Sequence, residues 1–379
     1  MYKIGIECEE LEKGGGWGIG RIVSKLLEEI SHHPELGKEF RFILFFKNRI
    51  PALAYLNAPI FKKRVVAPFF KGRLFPVYYL FLLPLRLWFE QPDLMFWPAY
   101  MLPFFTFTRS LSLMTEDVYH EAFNGKLPFK YRFFYMIFGT YSAKHATKLM
   151  AISETSKKNM AKLYKIDPDR IFVNHLGVDL KYDRIVNQTG NLPYILYIGQ
   201  AFPRRHLKET ILAFEKLVTE HSNILENVGM SELKLIAIGP DKYPELIIDS
   251  LASKVNGRLG REAVIHKNYV EDSELAKLYA GAKALVYVSD REAFGLPPME
   301  ALSFGVPPVI ADNELGRELF GEYAFYVKNH DPDGIANGIS QALTDSNKIQ
   351  KIKNSGPEFV KKYNWKNFTD KFLENVKDI

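Results

Sequence analysis

Short apolar runs alternate with helical stripes along most of this chain. Residues 3–8 (KIGIEC), 40–46 (FRFILFF), 93–97 (DLMFW), 110–114 (SLSLM), 148–153 (KLMAIS) and 171–178 (IFVNHLGV) have the length and composition of buried strands. After the first run, Ile22, Val23, Leu26, Leu27 and Ile30 repeat at helical spacing. Ser153 stands where an N-cap belongs, ahead of the helical pattern ETSKKNMAKLYK. The periodicity lapses over 180–192 (LKYDRIVNQTGNL), which reads as a linker. A second series then follows, with strands at 194–199, 233–239, 263–266, 284–289 and 306–311 and a helix near 206–219. Buried strands separated by helices predict parallel sheets covered on both faces. The chain is therefore expected to be α/β, with two doubly wound, Rossmann-like domains facing a central cleft. Ligands of such sheets sit beyond the carboxyl ends of the strands, so the loops after strands are where chemistry is expected.

A length of 379 residues agrees with two domains. The net charge of +6 implies a basic face, fit for nucleic acid, anionic lipid or a phosphorylated substrate. No nucleic-acid module accompanies the charge, so that partner is not expected. Cys8 is the one cysteine, which excludes a disulfide or a Cys-based zinc site within the chain. The N-terminus MYKIGIECEE turns acidic too early for a signal peptide. The longest apolar stretch, 75–89, is broken by Pro84 and Arg86 and is too short to span a bilayer. A cytoplasmic protein is the expectation. Over 61–89, Lys62, Lys63, Arg64, Lys71 and Arg73 are interleaved with Phe and Tyr. That stretch suits peripheral membrane contact or a lipid-diphosphate acceptor, and equally a buried helix with a basic rim.

The stretch REAFGLPPMEALSFGVPP (291–308) carries the most specific chemistry. It leaves the apolar run ALVYVS and enters a helix at Pro297 or Pro298, where a missing N–H costs nothing. Backbone amides at Phe294, Gly295 and Leu296 then point outward at the positive end of a helix, which suits phosphate. Glu300 cannot bind the same anion but can accept from a neighbouring diol such as a ribose. Glu292, before the turn, can hold sugar hydroxyls or a developing positive charge. Phosphate between two sets of hydroxyls describes a nucleotide sugar. For Glu300 the dipole-favoured acid of a helix start is an equal alternative. At the other end of the chain, EKGGGWGIGRIVSKLL lacks both the dinucleotide fingerprint and a P-loop. Its clustered glycines still permit close backbone approach.

EAFGLPPMEA resembles the E-x7-E stretch of the retaining nucleotide-sugar glycosyltransferases of the GT-B fold, family 4. YIGQAFPRRHLKETILAFEKL (197–217) is similar to the first strand–loop–helix of that family's donor domain. AISETSKKNM and IFVNHLGVD look like the end of its acceptor domain. The resemblance implies an acceptor domain over 1–182, a donor domain over 190–356, and a C-terminal helix (357–379) packed back on the first domain. It implies that Glu300 binds ribose, that Glu292 lies by the donor sugar, and that Phe294, Gly295 and Leu296 bind sugar and phosphate. The family usually has an Arg just after the glycine corresponding to Gly199 and a Lys a few residues on. Here those positions read Gln200 and Arg205, the latter preceded by Arg204. Arg205 and Arg204 are the expected stabilisers of the leaving diphosphate. Gly16 and Gly18 match the family's glycine loop. Many relatives have His-Asp after the strand that reads SLSLM here (110–114), with the His near the donor sugar. This chain has Glu116 and Asp117, with His120 three residues on as a replacement imidazole; a helix cap is the alternative for TED.

The two Asp-Pro-Asp strings (167–169 and 331–333) are read as caps, and the nine His residues show no H-E-x-x-H spacing. Metal-independent transfer without a cofactor is therefore expected. The implied reaction moves a hexose, with retention, from a UDP- or GDP-sugar to a saccharide or lipid-linked acceptor. Two other readings of the same fold stay open on sequence alone: a nucleotide-sugar epimerase and a non-catalytic nucleotide-sugar-binding protein.

Overall fold

The apolar runs become strands because both of their faces are covered. Residues 42–46 of β2 (Phe40–Phe46) are all buried, as is every residue of β8 (Tyr194–Ile198). The computed structural model describes residues 1–12, 18–68, 77–123, 128–179 and 192–379. Gly16, Lys71, Arg73 and nearly all of the 180–192 segment lie outside the described residues.

One compact unit comprises Met1–Gly177 with Trp365–Ile379. Its sheet contains β1 (Tyr2–Glu7), β2, β3 (Phe61–Val65), β4 (Leu94–Trp97), β5 (Arg109–Leu113), β6 (Lys148–Ala151) and β7 (Ile171–Val173), in the order β3-β2-β1-β4-β5-β6-β7. The other unit comprises Val178–Asn364. Its sheet contains β8, β9 (Lys234–Ile238), β10 (Val264–Lys267), β11 (Ala284–Tyr287), β12 (Pro308–Ala311) and β13 (Phe325–Val327), in the order β10-β9-β8-β11-β12-β13. Every pairing in both sheets is parallel. Strand order reverses between β1 and β4 in the first sheet and between β8 and β11 in the second. Those reversals open the crevices in which such folds bind ligands.

Two strands escaped the apolar pattern. β3 (FKKRV) carries three cations and β13 has only three residues. Both are sheet edges, where charge and brevity are tolerated. The apolar stretch after β3 is helical over Tyr78–Glu90, with Tyr79, Leu83 and Leu87 buried in the first unit's core. Phe81, Leu85, Trp88 and Phe89 on the same helix are exposed. Lys62, Arg64 and Arg86 all converge on Glu90, which offsets one of their three charges. Among the described residues no helix is long and apolar enough to cross a membrane.

The caps act as their sequences indicate. Ser153 Oγ accepts from the Ser156 N–H at 3.0 Å. Asp167 and Asp331 accept from Asp169 and Gly334 N–H groups at 2.9 and 2.7 Å, which explains both Asp-Pro-Asp strings.

The unit boundaries fall elsewhere than the sequence implied. The first unit ends at Gly177, not 182, and the chain returns to it at Trp365, not 357. Helix Ser346–Val360 stays with the second unit, where a Cβ at Gly356 would meet Leu302 at 2.5 Å. Helix Trp365–Lys377 belongs to the first unit: Phe372 meets Phe96 edge-on at 4.9 Å, and Asn174 Nδ2 donates to the Phe368 carbonyl at 2.9 Å.

Candidate active site

The loops leaving β8 and β11 flank the reversal of the second sheet, and they carry most of the expected residues. β8 ends at Ile198, and Gly199 follows with φ +138, a conformation that L side chains rarely adopt. A Cβ there would meet Arg205 Nη1 and the Tyr287 ring, each at 3.3 Å. Its absence lets the Arg205 guanidinium lie close over the backbone. Arg205 Nε and Nη2 donate to the two oxygens of Glu292 at 2.6 and 3.0 Å, a bidentate fork. Nη1 donates to the Gln200 carbonyl at 3.2 Å, so the position that departs from the family contributes its backbone. Ser289 Oγ lies 3.1 Å from Glu292 Oε1. Arg205 also lies over the Tyr287 and Phe202 rings.

Arg204 approaches the same carboxylate less closely, with Nη1 3.9 Å from Glu292 Oε1. That nitrogen is buried and makes no hydrogen bond among the described residues. Two guanidinium groups thus share one carboxylate, which leaves cationic capacity for an added anion. A cavity of about 30 Å³ beside Glu292 and Gly295, bounded by Ser289 and Asn313, has room for about one water.

Gly295 caps helix Leu296–Ser303 with φ +91, and Pro297 and Pro298 occupy its first turn. The prolines add no donors of their own, so the anion site foreseen from sequence rests on the amides that precede them. Gly295 and Leu296 N–H groups make no hydrogen bond among the described residues. The Phe294 side chain is buried and meets Tyr363 edge-on, so its ring is a packing contact. Glu300 sits in the second turn rather than the first. One of its oxygens accepts from Tyr279 OH at 2.8 Å, and Tyr279 stacks on Phe304 at 5.6 Å. The dipole-favoured acid of a first turn is therefore not its role.

The other expected residues belong to the first unit. Gly18 opens helix Gly18–Ser31 with φ +54. Glu116, Asp117 and His120 lie on helix Glu116–Phe123, just after β5. Glu116 departs from the expectation of a sugar contact. It is only 3% exposed, and its oxygens accept from Ser156 Oγ at 2.5 Å and Asn159 Nδ2 at 3.2 Å. It ties its helix to Glu154–Tyr164, and burial, opposed by those two donors, pushes its pKa up. Asp117 and His120 are half-buried one turn apart, and His120 meets Tyr119 edge-on at 6.1 Å.

Sequence reasoning missed one cluster. Asp290 Oδ1 lies 2.7 Å from His206 Nε2 and 2.8 Å from His330 Nδ1. Their separations in the chain, 84 and 40 residues, give no spacing signal. Burial alone would raise the Asp290 pKa, but the two imidazoles outweigh it and hold the carboxyl below its ordinary value.

Comparisons with known proteins bear on the family and the fold. Residues 180–359 match the family model "Glycosyl transferases group 1", and 26–182 match "Glycosyltransferase Family 4". The chain is 27% identical to the O-antigen chain mannosyltransferase B of Escherichia coli over 279 residues, 70% of this chain and 68% of that protein. It is 27% identical over 259 residues to the serotype-specific mannosyltransferase WbdA of Escherichia coli, 62% of this chain but only 29% of that longer protein. The structure of Anabaena Alr3699/HepE in complex with UDP-glucose superposes with a TM-score of 0.72 at 14% identity, covering all of both chains. That likeness concerns the fold. With both halves matched to glycosyltransferase models, the chain is a glycosyltransferase of the GT-B fold.

Proposed function

We propose that this enzyme transfers a hexose, with retention of configuration, from a GDP- or UDP-sugar to a saccharide or lipid-linked acceptor in cell-envelope polysaccharide synthesis. The observation that carries the donor reading is the guanidinium pair at the sheet reversal. Arg205 is forked on Glu292, and Arg204 keeps a buried nitrogen without a hydrogen-bond partner among the described residues. The names of two relatives support mannose as the first sugar to test, and polysaccharide synthesis as the setting.

In this reading the second unit holds the donor. Its diphosphate takes the Arg204 nitrogen, the Gly295 and Leu296 amides, and a share of Arg205. Glu300 accepts from the ribose hydroxyls and Glu292 from the sugar. The bond from the anomeric carbon to the phosphate oxygen breaks, with its electron pair passing to the diphosphate. The acceptor oxygen attacks from the same face, and its proton passes to the departing phosphate oxygen. Arg205 and Arg204 stabilise the charge that develops there, so no metal is needed for the step. The first unit would receive the acceptor, with Gly18, Asp117 and His120 as its contacts.

The test is transfer from GDP-mannose and UDP-glucose to membrane-extracted acceptors, with the product's anomeric configuration read by NMR. A product of inverted configuration contradicts the mechanism.

A membrane surface is the proposed surrounding of the first unit, at the cytoplasmic face. Phe81, Leu85, Trp88 and Phe89 are exposed on a helix whose other side is already core. Trp88 also meets the exposed Phe107 edge-on at 6.4 Å. A helix apolar on both sides, extended by a neighbouring aromatic, calls for a second apolar medium. Sedimentation with anionic and with neutral vesicles checks this. Binding should be lost in Trp88→Ser/Phe89→Ser, and recovery of the wild type only in the supernatant contradicts it.

A further inference from the structure

We propose that His206, Asp290 and His330 form a binding site for one divalent transition-metal ion of the zinc class, which cross-links three strand-exit loops of the second unit. His206 ends the loop after β8, Asp290 lies in the loop after β11, and His330 in the loop after β13. Their nearest ligand atoms, His206 Nε2, Asp290 Oδ1 and His330 Nδ1, all lie within 4.8 Å of one another. Two imidazole nitrogens and one carboxylate oxygen are a borderline set. It suits zinc, cobalt or nickel, and not magnesium or calcium, which take oxygen ligands.

Side-chain rotations bring the three ligand atoms to a metal-binding spacing. Zinc bonds nitrogen and carboxylate oxygen at roughly 2.0–2.2 Å, so tetrahedral ligand atoms sit roughly 3.3 Å apart. The present 2.7 and 2.8 Å separations require Asp290 to withdraw by about half an ångström, and the two imidazole nitrogens, which lie within 4.8 Å of each other, to settle at the same spacing. The Asp290 side chain is 53% exposed and has room to do so. A water would complete the fourth position.

Two further observations support a metal over a simple hydrogen-bonded triad. Zinc-ligating histidines usually turn their second nitrogen to a carboxylate, which orients the ring. The other His206 nitrogen, Nδ1, faces Glu209 Oε2 at 3.5 Å, and that buried oxygen makes no hydrogen bond among the described residues. His206 also adopts φ +47, a left-handed backbone that Asn or Gly takes at lower cost. The residue at that turn is thus set by its imidazole, not by the backbone.

The site adjoins the donor loops, since His206 follows Arg205 and Asp290 stands two residues before Glu292. Asp290 N–H also donates to the Arg204 carbonyl at 2.9 Å. A bound ion would hold these loops in register without entering the transfer step. The inference stands independently of which sugar or nucleotide is used.

The experiment is titration of the EDTA-treated full chain with Zn²⁺ by calorimetry, with bound metal counted by elemental analysis and the coordination read from the visible spectrum of the Co²⁺ form. Expected are one ion per chain and the intense visible bands of tetrahedral Co²⁺. His330→Ala should weaken binding by more than about 100-fold, and Glu209→Gln by roughly 10-fold. His206→Asn, which suits the left-handed turn, should lose the site while its circular dichroism matches the wild type. Equal Zn²⁺ binding by the wild type and the His206→Asn/His330→Ala double variant overturns the proposal, as does the absence of any stoichiometric ion.

Discussion

Two glutamates, each in a loop or helix that follows a strand, meet opposite fates. Glu292 on the second unit is forked to Arg205 with a second guanidinium nearby. Glu116 on the first unit is more deeply buried, and its recorded partners are the neutral side chains of Ser156 and Asn159. Burial pushes Glu116 toward its protonated form, and its two neutral donors only partly oppose that. The first arrangement can be re-partnered when an anionic ligand arrives and competes for the cation. The second has no cation to yield and serves to dock two helices. The same residue type therefore marks a ligand site in one unit and a packing joint in the other, and the partner decides which.

The most severe break in this comparison is Arg205→Ala. It should lower transfer by roughly 100- to 1000-fold, the cost of losing a principal donor to developing charge. Arg205→Lys keeps the charge but not the fork, and steady-state kinetics should place it between the two. Next is Glu300→Ala. Loss of a charged hydrogen-bond acceptor should weaken nucleotide binding by about 10- to 100-fold, with Tyr279→Phe costing less, near 10-fold at most. Unchanged affinity in both variants contradicts the ribose role.

Glu292→Gln sharpens the contrast differently. It removes the anion that competes for Arg205, so binding of free nucleoside diphosphate should hold or tighten while transfer falls. Weaker diphosphate binding would place Glu292 on the nucleotide instead of the sugar.

The smallest effect is expected at Glu116. Its pKa is raised in the fold, so its stabilising contribution is full below the unfolded carboxyl value of about 4.3 and is lost as pH rises through the raised value. Glu116→Gln should therefore be at least as stable as the wild type at pH 7, by up to ~1 kcal/mol. The wild type should gain on the variant as pH falls toward 5. Denaturant melts of both proteins across that range measure the difference, and a gap that does not change with pH contradicts the assignment.

The central strands of both sheets could be read from their continuous apolar runs, because strands covered on both faces leave no polar alternation. The edge strands could not, since charged β3 and short β13 owe their pairing to a neighbour instead of to their own pattern. Glu292, Gly295 and Glu300 stood out because one strand exit and one helix carry them all, and Arg205 because it stands where the family it resembles has a Lys after the glycine matched by Gly199. The engagement of Glu116 was hidden, since Ser156 and Asn159 lie 40 and 43 residues away and only the fold joins them. His206, Asp290 and His330 were hidden for the same reason. The turn at Gly295 and Leu296 was legible because Pro297 and Pro298 mark a helix start directly behind it.

The most direct test of the account is calorimetric titration of GDP and UDP, and of guanosine and uridine, into the wild type, Arg204→Ala and Arg205→Ala. The guanidinium pair is assigned to the diphosphate. One nucleotide should therefore bind the wild type well and lose at least about 10-fold in affinity in each variant, while its nucleoside binds all three equally. Equal affinity of the diphosphate for wild type and both variants would contradict the assignment and move the donor away from the reversal between β8 and β11.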